Sequence, residues 1–121
     1  MLVAIRGAVQ IAADTPSDIA AAVTELVAEV TRQNALSAER VISALFTMTP
    51  DLSAAFPATA ARAQGWATVP MLCAQEIAVP GSMPRVCRVL IHAESDRPAR
   101  HVYLGGAATL RPDLPQDPPR G

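Results

Sequence analysis

The chain has 121 residues, half of them hydrophobic, 3% aromatic and 17% charged, which sizes it for one domain and leaves its charged share below the roughly 25% usual for a soluble monomer. Ten arginines with no lysine balance eleven acids to a formal charge of −1, and no run of like charge occurs, which disfavours a nucleic-acid or membrane-surface binder. The missing lysine excludes Schiff-base chemistry and a phosphate-loop lysine, and two cysteines, Cys73 and Cys87, cannot by themselves build a disulfide framework or a four-ligand zinc cage.

Residues 2–11 are apolar and partly β-branched, interrupted by Arg6 and Gly7, and read as a strand. The start Met1-Leu2-Val3-Ala4-Ile5-Arg6 lacks the pattern of a cleaved leader, and no stretch is apolar for long enough to span a bilayer, so a cytoplasmic protein is expected. Thr15-Pro16-Ser17-Asp18 then supplies a cap, a first-turn proline and a carboxylate for the helix dipole. Ile19, Val23, Leu26 and Val30 recur at helical spacing and predict the longest helix, ending near Asn34. Ser37–Arg40 reads as a short helical turn and Val41–Thr49 as a strand stopped by Pro50. Pro57 opens an alanine-rich helix to Gln64, closed by Gly65. Val69–Ile77 and Val86–Ala93 are two further strands separated by a loop at Pro80-Gly81, and His101–Leu104 is a last short strand broken by Gly105-Gly106. The proline-rich stretch 115–121 predicts a flexible tail behind a domain spanning 1–114. This order gives a mixed α/β (α+β) domain with one dominant helix on a single sheet. One helix covers only part of one sheet face, so the remainder is expected to meet another subunit, in line with the low charge.

Arg6 and Arg88 each lie inside an apolar strand, where a guanidinium cannot shed its charge and must reach water or an anion. Glu76 ends a nearly apolar run and by strand alternation points the same way as Leu72 and Ala74, opposite Cys73, although a bulge could bring Cys73 and Glu76 together. The bland reading is that Glu76 only neutralises an arginine. Arg62 and Arg111 alone would be solvated charges. Tyr103 could donate its hydroxyl to a carboxylate, and Phe56 could be ordinary core. His92 and His101 share no metal-ligand spacing with the cysteines, and there is no nucleophile elbow, glycine-rich phosphate loop or metalloprotease helix. Several arginines with one glutamate, a cysteine and a tyrosine, and no metal or cofactor cradle, suit a small, multiply anionic ligand held by guanidinium forks.

The runs Ile5-Arg6-Gly7-Ala8, TPDLSAAFPATAAR (49–62), VPMLCAQEI (69–77), Arg88 in its strand and RHVYLGGAATLRPDL (100–114) closely resemble the monofunctional bacterial chorismate mutases of the trimeric, barrel-like class. The match is colinear from about residue 3 to residue 114. What the resemblance implies is a homotrimer whose sheets form a pseudo-α/β barrel, with active sites between neighbouring subunits that convert chorismate to prephenate without a cofactor. Carried over by position, Arg6, Arg88 and Tyr103 would bind the enolpyruvyl carboxylate and ether region, with Arg88 at the ether oxygen, and Glu76 and Cys73 would take the ring hydroxyl end. Phe56, Ala58 and Arg62 would come from the neighbouring subunit, and Leu110 and Arg111 from the segment that orders over the ligand. Thr59 departs from the lysine of the family, a change that touches only a peripheral carboxylate contact because Arg62 remains. Two other readings fit the residues: a non-catalytic trimeric protein that binds a carboxylate metabolite, and an imine or enamine deaminase of the related trimeric fold.

Overall fold

A computed structural model describes residues 1–110 of the chain, so Arg111 and the tail expected at 115–121 lie outside the described residues. In chain order the elements are β1 (Leu2–Gln10), α1 (Pro16–Asn34), a tight turn at Ala38–Arg40, β2 (Val41–Met48), α2 (Pro57–Ala61), β3 (Met71–Gln75), β4 (Val86–Glu94), β5 (Val102–Leu104) and a tight helical segment, Gly105–Leu110. The five strands form one mixed sheet in the order β3-β2-β4-β1-β5. β4 runs antiparallel to β1 and β2, whereas β3 joins β2 and β5 joins β1 in parallel.

α1 begins as its sequence dictates. Thr15 is extended, and its hydroxyl accepts the Asp18 N–H at 3.1 Å and donates to the Asp18 carboxylate at 2.6 Å, which satisfies an end donor and sets a negative charge against the positive helix end. Ile19, Val23, Leu26 and Val30 are all buried on the sheet. The helix stops at Ala35, whose φ of 48° is left-handed, with the Leu36 N–H returning to the Thr31 carbonyl at 3.1 Å. Buried Asn34 secures this end, accepting the Arg100 N–H at 2.8 Å and donating to the carbonyls of Arg100 and Val30.

The residues of β1 that face α1 are Ile5, Gly7 and Val9, which pair with Ile91, Val89 and Cys87 of β4. Gly7 lets helix and sheet approach closely: a β-carbon there would stand 3.1 Å from both Leu26 and Val89. Ala44, Phe46 and Met48 continue the same layer on β2. The other sheet face carries Arg6, Ala8, Leu45, Thr47, Arg88, Leu90 and Tyr103, and among the described residues only the segment Gly105–Leu110 packs on it, at one end. Ala107, in the segment after β5, is buried with Ala8, Val86 and Tyr103 at one end of that face. Leu72 and Phe56 are 73% and 71% exposed, large apolar groups that a lone chain leaves in water.

The sequence expectations hold for every element, with shifted ends. The strand expected over 69–77 narrows to Met71–Gln75, because the Val69 N–H closes a turn onto the Trp66 carbonyl instead of joining the sheet. The helix expected to Gln64 is regular only to Ala61 and then widens through Arg62–Trp66, with Gly65 at φ 97° supplying the left-handed residue that ends it. The segment after Gly105-Gly106 is a helical turn, which the glycine pair alone did not predict. The last strand starts at Val102, not His101, because the His101 ring replaces a ladder bond: its Nδ1 accepts the Arg6 N–H at 3.0 Å.

Candidate active site

The register of the sheet builds the site. Tyr103 pairs with Ala8, Ala8 with Arg88, Arg88 with Thr47 and Thr47 with Ala74, so these residues form one row across all five strands on the uncovered face. Neighbouring strands lie about 4.8 Å apart, which puts Tyr103 and Arg88 two strands apart across the small Ala8, with Arg6 two residues along from Ala8 on the same face. The three form a triangle around Ala8 and Leu90. An open cavity of about 290 Å³ lies there, lined by Arg6, Leu45, Thr47, Arg88, Leu90 and Tyr103.

Glu76 follows β3 but still joins the sheet, its N–H donating to the Met48 carbonyl at 2.9 Å. It therefore keeps the strand alternation expected for it and turns to the same face as Ala74. The ε-nitrogen of Arg88 donates to both Glu76 oxygens, at 3.1 and 2.9 Å, and the Thr47 hydroxyl donates to Oε2 at 2.7 Å. Among the described residues the two terminal nitrogens of Arg88, and the whole Arg6 guanidinium, make no hydrogen bond within the chain. Arg88 is thus oriented by an acid through one nitrogen while two planar donors stay available. The bland expectation that Glu76 neutralises an arginine is met, and the same contact aims that arginine.

Cys73 does not join this group. The β2–β3 register runs unbroken from Ala44–Met71 to Met48–Gln75, so the bulge that would have brought Cys73 to Glu76 does not form, and Cys73 faces the other side of the sheet beside Phe46. There it lines a second open cavity, of about 430 Å³, with Met48, Leu52, Phe56, Pro57 and Gln75. Ala58 is buried in α2 and Arg62 is exposed at its end. The expected site residues therefore fall into two groups on opposite sides of one chain: Arg6, Glu76, Arg88 and Tyr103 in one, and Phe56, Ala58, Arg62 and Cys73 in the other. Leu110 packs beside Tyr103 and Ala107, with the first group. Burial, together with the nearby charges of Cys73 and Glu76, pushes the thiol of Cys87 up to about 12, and both cysteines are free. His92 meets the Ser43 hydroxyl at 3.3 Å, and no group of three or more potential metal ligands forms among the described residues.

Two contributors were not singled out from the sequence. Thr47 is one, although a hydroxyl in the otherwise apolar run Ala44-Leu45-Phe46-Thr47-Met48 was a signal. Asp14 is the other: its carboxylate accepts the N–H groups of Ser53 and Ala54 at 2.9 and 3.0 Å and so fixes the loop that leads to Phe56. Those two N–H groups, with a further bond from the Ser53 hydroxyl, hold the Asp14 carboxyl below its usual value.

This fold and this site define a small α/β protein that carries preset guanidinium groups on one sheet face. The chain belongs to the chorismate mutase type I family, whose model matches residues 2–114. It is 48% identical over 118 residues to the chorismate mutase AroH of Thermus thermophilus, covering 94% of this chain and 97% of that protein. It is 39% identical over 118 residues to the chorismate mutase AroH of Bacillus subtilis, covering 94% and 93%. The solved chorismate mutase from Clostridium thermocellum superposes with a TM-score of 0.85 at 42% identity, covering 88% of this chain and 97% of that one. The expected family and the expected mixed single-sheet fold of the chain are thereby met, and so is the expected class of enzyme, an isomerase. Among the described residues no helix is long and apolar enough to cross a membrane.

Proposed function

We propose that the chain rearranges chorismate to prephenate in a site assembled between copies of itself, as a homotrimer in the cytoplasm, where its two free thiols stay reduced. The observation that carries this reading is the triangle of Arg6, Arg88 and Tyr103, with the ε-nitrogen of Arg88 already held by Glu76. In this rearrangement the carbon–oxygen bond breaks ahead of carbon–carbon bond formation, so negative charge develops on the ether oxygen. A donor fixed in place stabilises that charge more in the transition state than in the ground state, which is what lowers the barrier. Arg88 supplies it through its two unengaged nitrogens. Arg6 and Tyr103 hold the side-chain carboxylate so that the reacting carbons stay in contact, an entropic contribution. Glu76 accepts the ring hydroxyl at the other end. No nucleophile and no proton transfer is needed.

The second group, Phe56, Ala58, Arg62 and Cys73, completes the site from a neighbouring copy in this reading, and Leu110, packed beside Tyr103, joins the first group at the ligand. Its position on the other side of the sheet, and the exposed Leu72 and Phe56, support an assembly in which one chain's second group meets the next chain's first. The direct test is incubation of the purified chain with chorismate. Loss of chorismate absorbance with prephenate as the product is expected. Binding without turnover would replace this reading with that of a carboxylate-metabolite binder.

A further inference from the structure

Thr47 sits in the middle of β2, in register with Arg88 on one side and Ala74 on the other, and it lines the Arg6–Arg88–Tyr103 cavity. Its hydroxyl donates to Glu76 Oε2 at 2.7 Å, the oxygen that also accepts the shorter bond from Arg88 Nε. In the single chain the Arg88–Glu76 pair is partly exposed, the two side chains at 42% and 17%. In such a setting water competes for the pair and two flexible side chains hold one geometry only weakly. Glu76 stands just beyond the end of β3, tied to the sheet by its N–H on the Met48 carbonyl, and its side chain takes its direction from its own partners.

From this we infer that Thr47 is a positioning residue for the mutase reaction: its hydroxyl fixes the Glu76 carboxylate, which in turn aims Arg88. The inference rests on the function proposed above. Threonine suits the task because a β-branched side chain has few rotamers in a strand, so the hydroxyl is held at the carboxylate with little loss of freedom. Thr47 itself touches no reacting atom; it acts through Glu76. A misaimed Arg88 costs most where charge develops, so the effect belongs to kcat, while Arg6 and Tyr103 maintain substrate binding.

The test compares Thr47→Val, which keeps shape and loses the donor, with Thr47→Ser, which keeps the donor. Thr47→Val is expected to lower kcat about tenfold to a hundredfold, the scale of a hydrogen bond to a charged group, with KM and melting temperature close to those of the parent, and Thr47→Ser is expected to restore most of the loss. A double-mutant cycle with Glu76→Ala separates positioning from packing, because Thr47→Val should cost little further once the acceptor is gone. If Thr47→Val does not fold, Thr47→Ala takes its place in both comparisons. Unchanged kcat in the folded variant, an equal loss in Thr47→Ser, or full additivity with Glu76→Ala each overturns the assignment. If the parent chain leaves chorismate untouched, the mutase reading fails first and the role of Thr47 fails with it; if the parent is active and Thr47→Val matches it, only this inference falls.

Discussion

At Arg88 the guanidinium is anchored through one nitrogen and leaves two for a ligand, so its planar fork and its charge can be tested apart. Arg88→Lys keeps the charge and removes the fork. If the two aligned donors stabilise charge on the ether oxygen, kcat should fall by about 2.7 to 4 kcal/mol, on the order of a hundredfold to a thousandfold. Thermal unfolding of the same preparation should show a folded protein. Near-normal kcat in a folded variant would mean that Arg88 is a structural partner of Glu76 and nothing more. Much of this residue-level chemistry was legible beforehand: charged groups inside apolar strands need an anion, and alternation placed Glu76 on the face of Ala74. Thr47 was not singled out, because its hydroxyl's partner, Glu76, follows β3, and the β2–β3 register is a long-range pairing that the apolar pattern of β2 does not announce.

Among the elements, the loop between β2 and α2 joins the sheet to the part of the chain that carries Phe56 and Arg62. Asp14 holds it from one side through the Ser53 and Ala54 N–H groups. Asp51 and Thr49 hold it from the other, accepting the N–H groups of Arg85 and Val86, which keeps Arg85 at its left-handed φ of 52°. Asp14→Ala should therefore loosen the loop and lower kcat/KM by up to about a hundredfold, the effect of a small misplacement of a positioning group, with less effect on the Arg88 side of the site. The carboxyl of Asp14 lies below its usual value in the folded chain, so its contribution is present above the unfolded value of about 3.9 and is lost as pH falls through the folded one. The difference in melting temperature between parent and Asp14→Ala should be constant near neutrality and shrink below about pH 4; a difference that persists undiminished in acid would assign the effect to something other than the carboxylate. The elements themselves were readable from the sequence, since capping at Thr15, the apolar spacing of α1 and proline or glycine at the ends of β2 and α2 are local signals. Their ends shifted where long-range partners decided them: the His101 ring against the Arg6 N–H, and Val69 turned back to Trp66.

For the whole molecule, the long helix α1 and the short α2 lie on one side of a five-stranded sheet, and among the described residues most of the other face stays uncovered; the low charge had already pointed to a face suited to a neighbour. The sequence could assign residues to one site through the family it resembles, but it could not divide them between the two sides of a chain. That division follows from the unbroken β2–β3 register, which sends Cys73 away from Glu76. The proposed trimer joins the two groups across each subunit boundary, so the Arg88 of one copy should work with the Arg62 of another. The most direct test is complementation: Arg88→Ala and Arg62→Ala chains, each folded and each nearly inactive, are unfolded together, refolded as a mixture and assayed with chorismate. Sites that take Arg88 from one variant and Arg62 from the other contain no substituted arginine, so the mixture should regain a substantial share of the parent's kcat while either variant refolded alone stays inactive. Mixed trimers that form, as seen by mass, and yet remain as inactive as their parents would contradict a site shared between subunits.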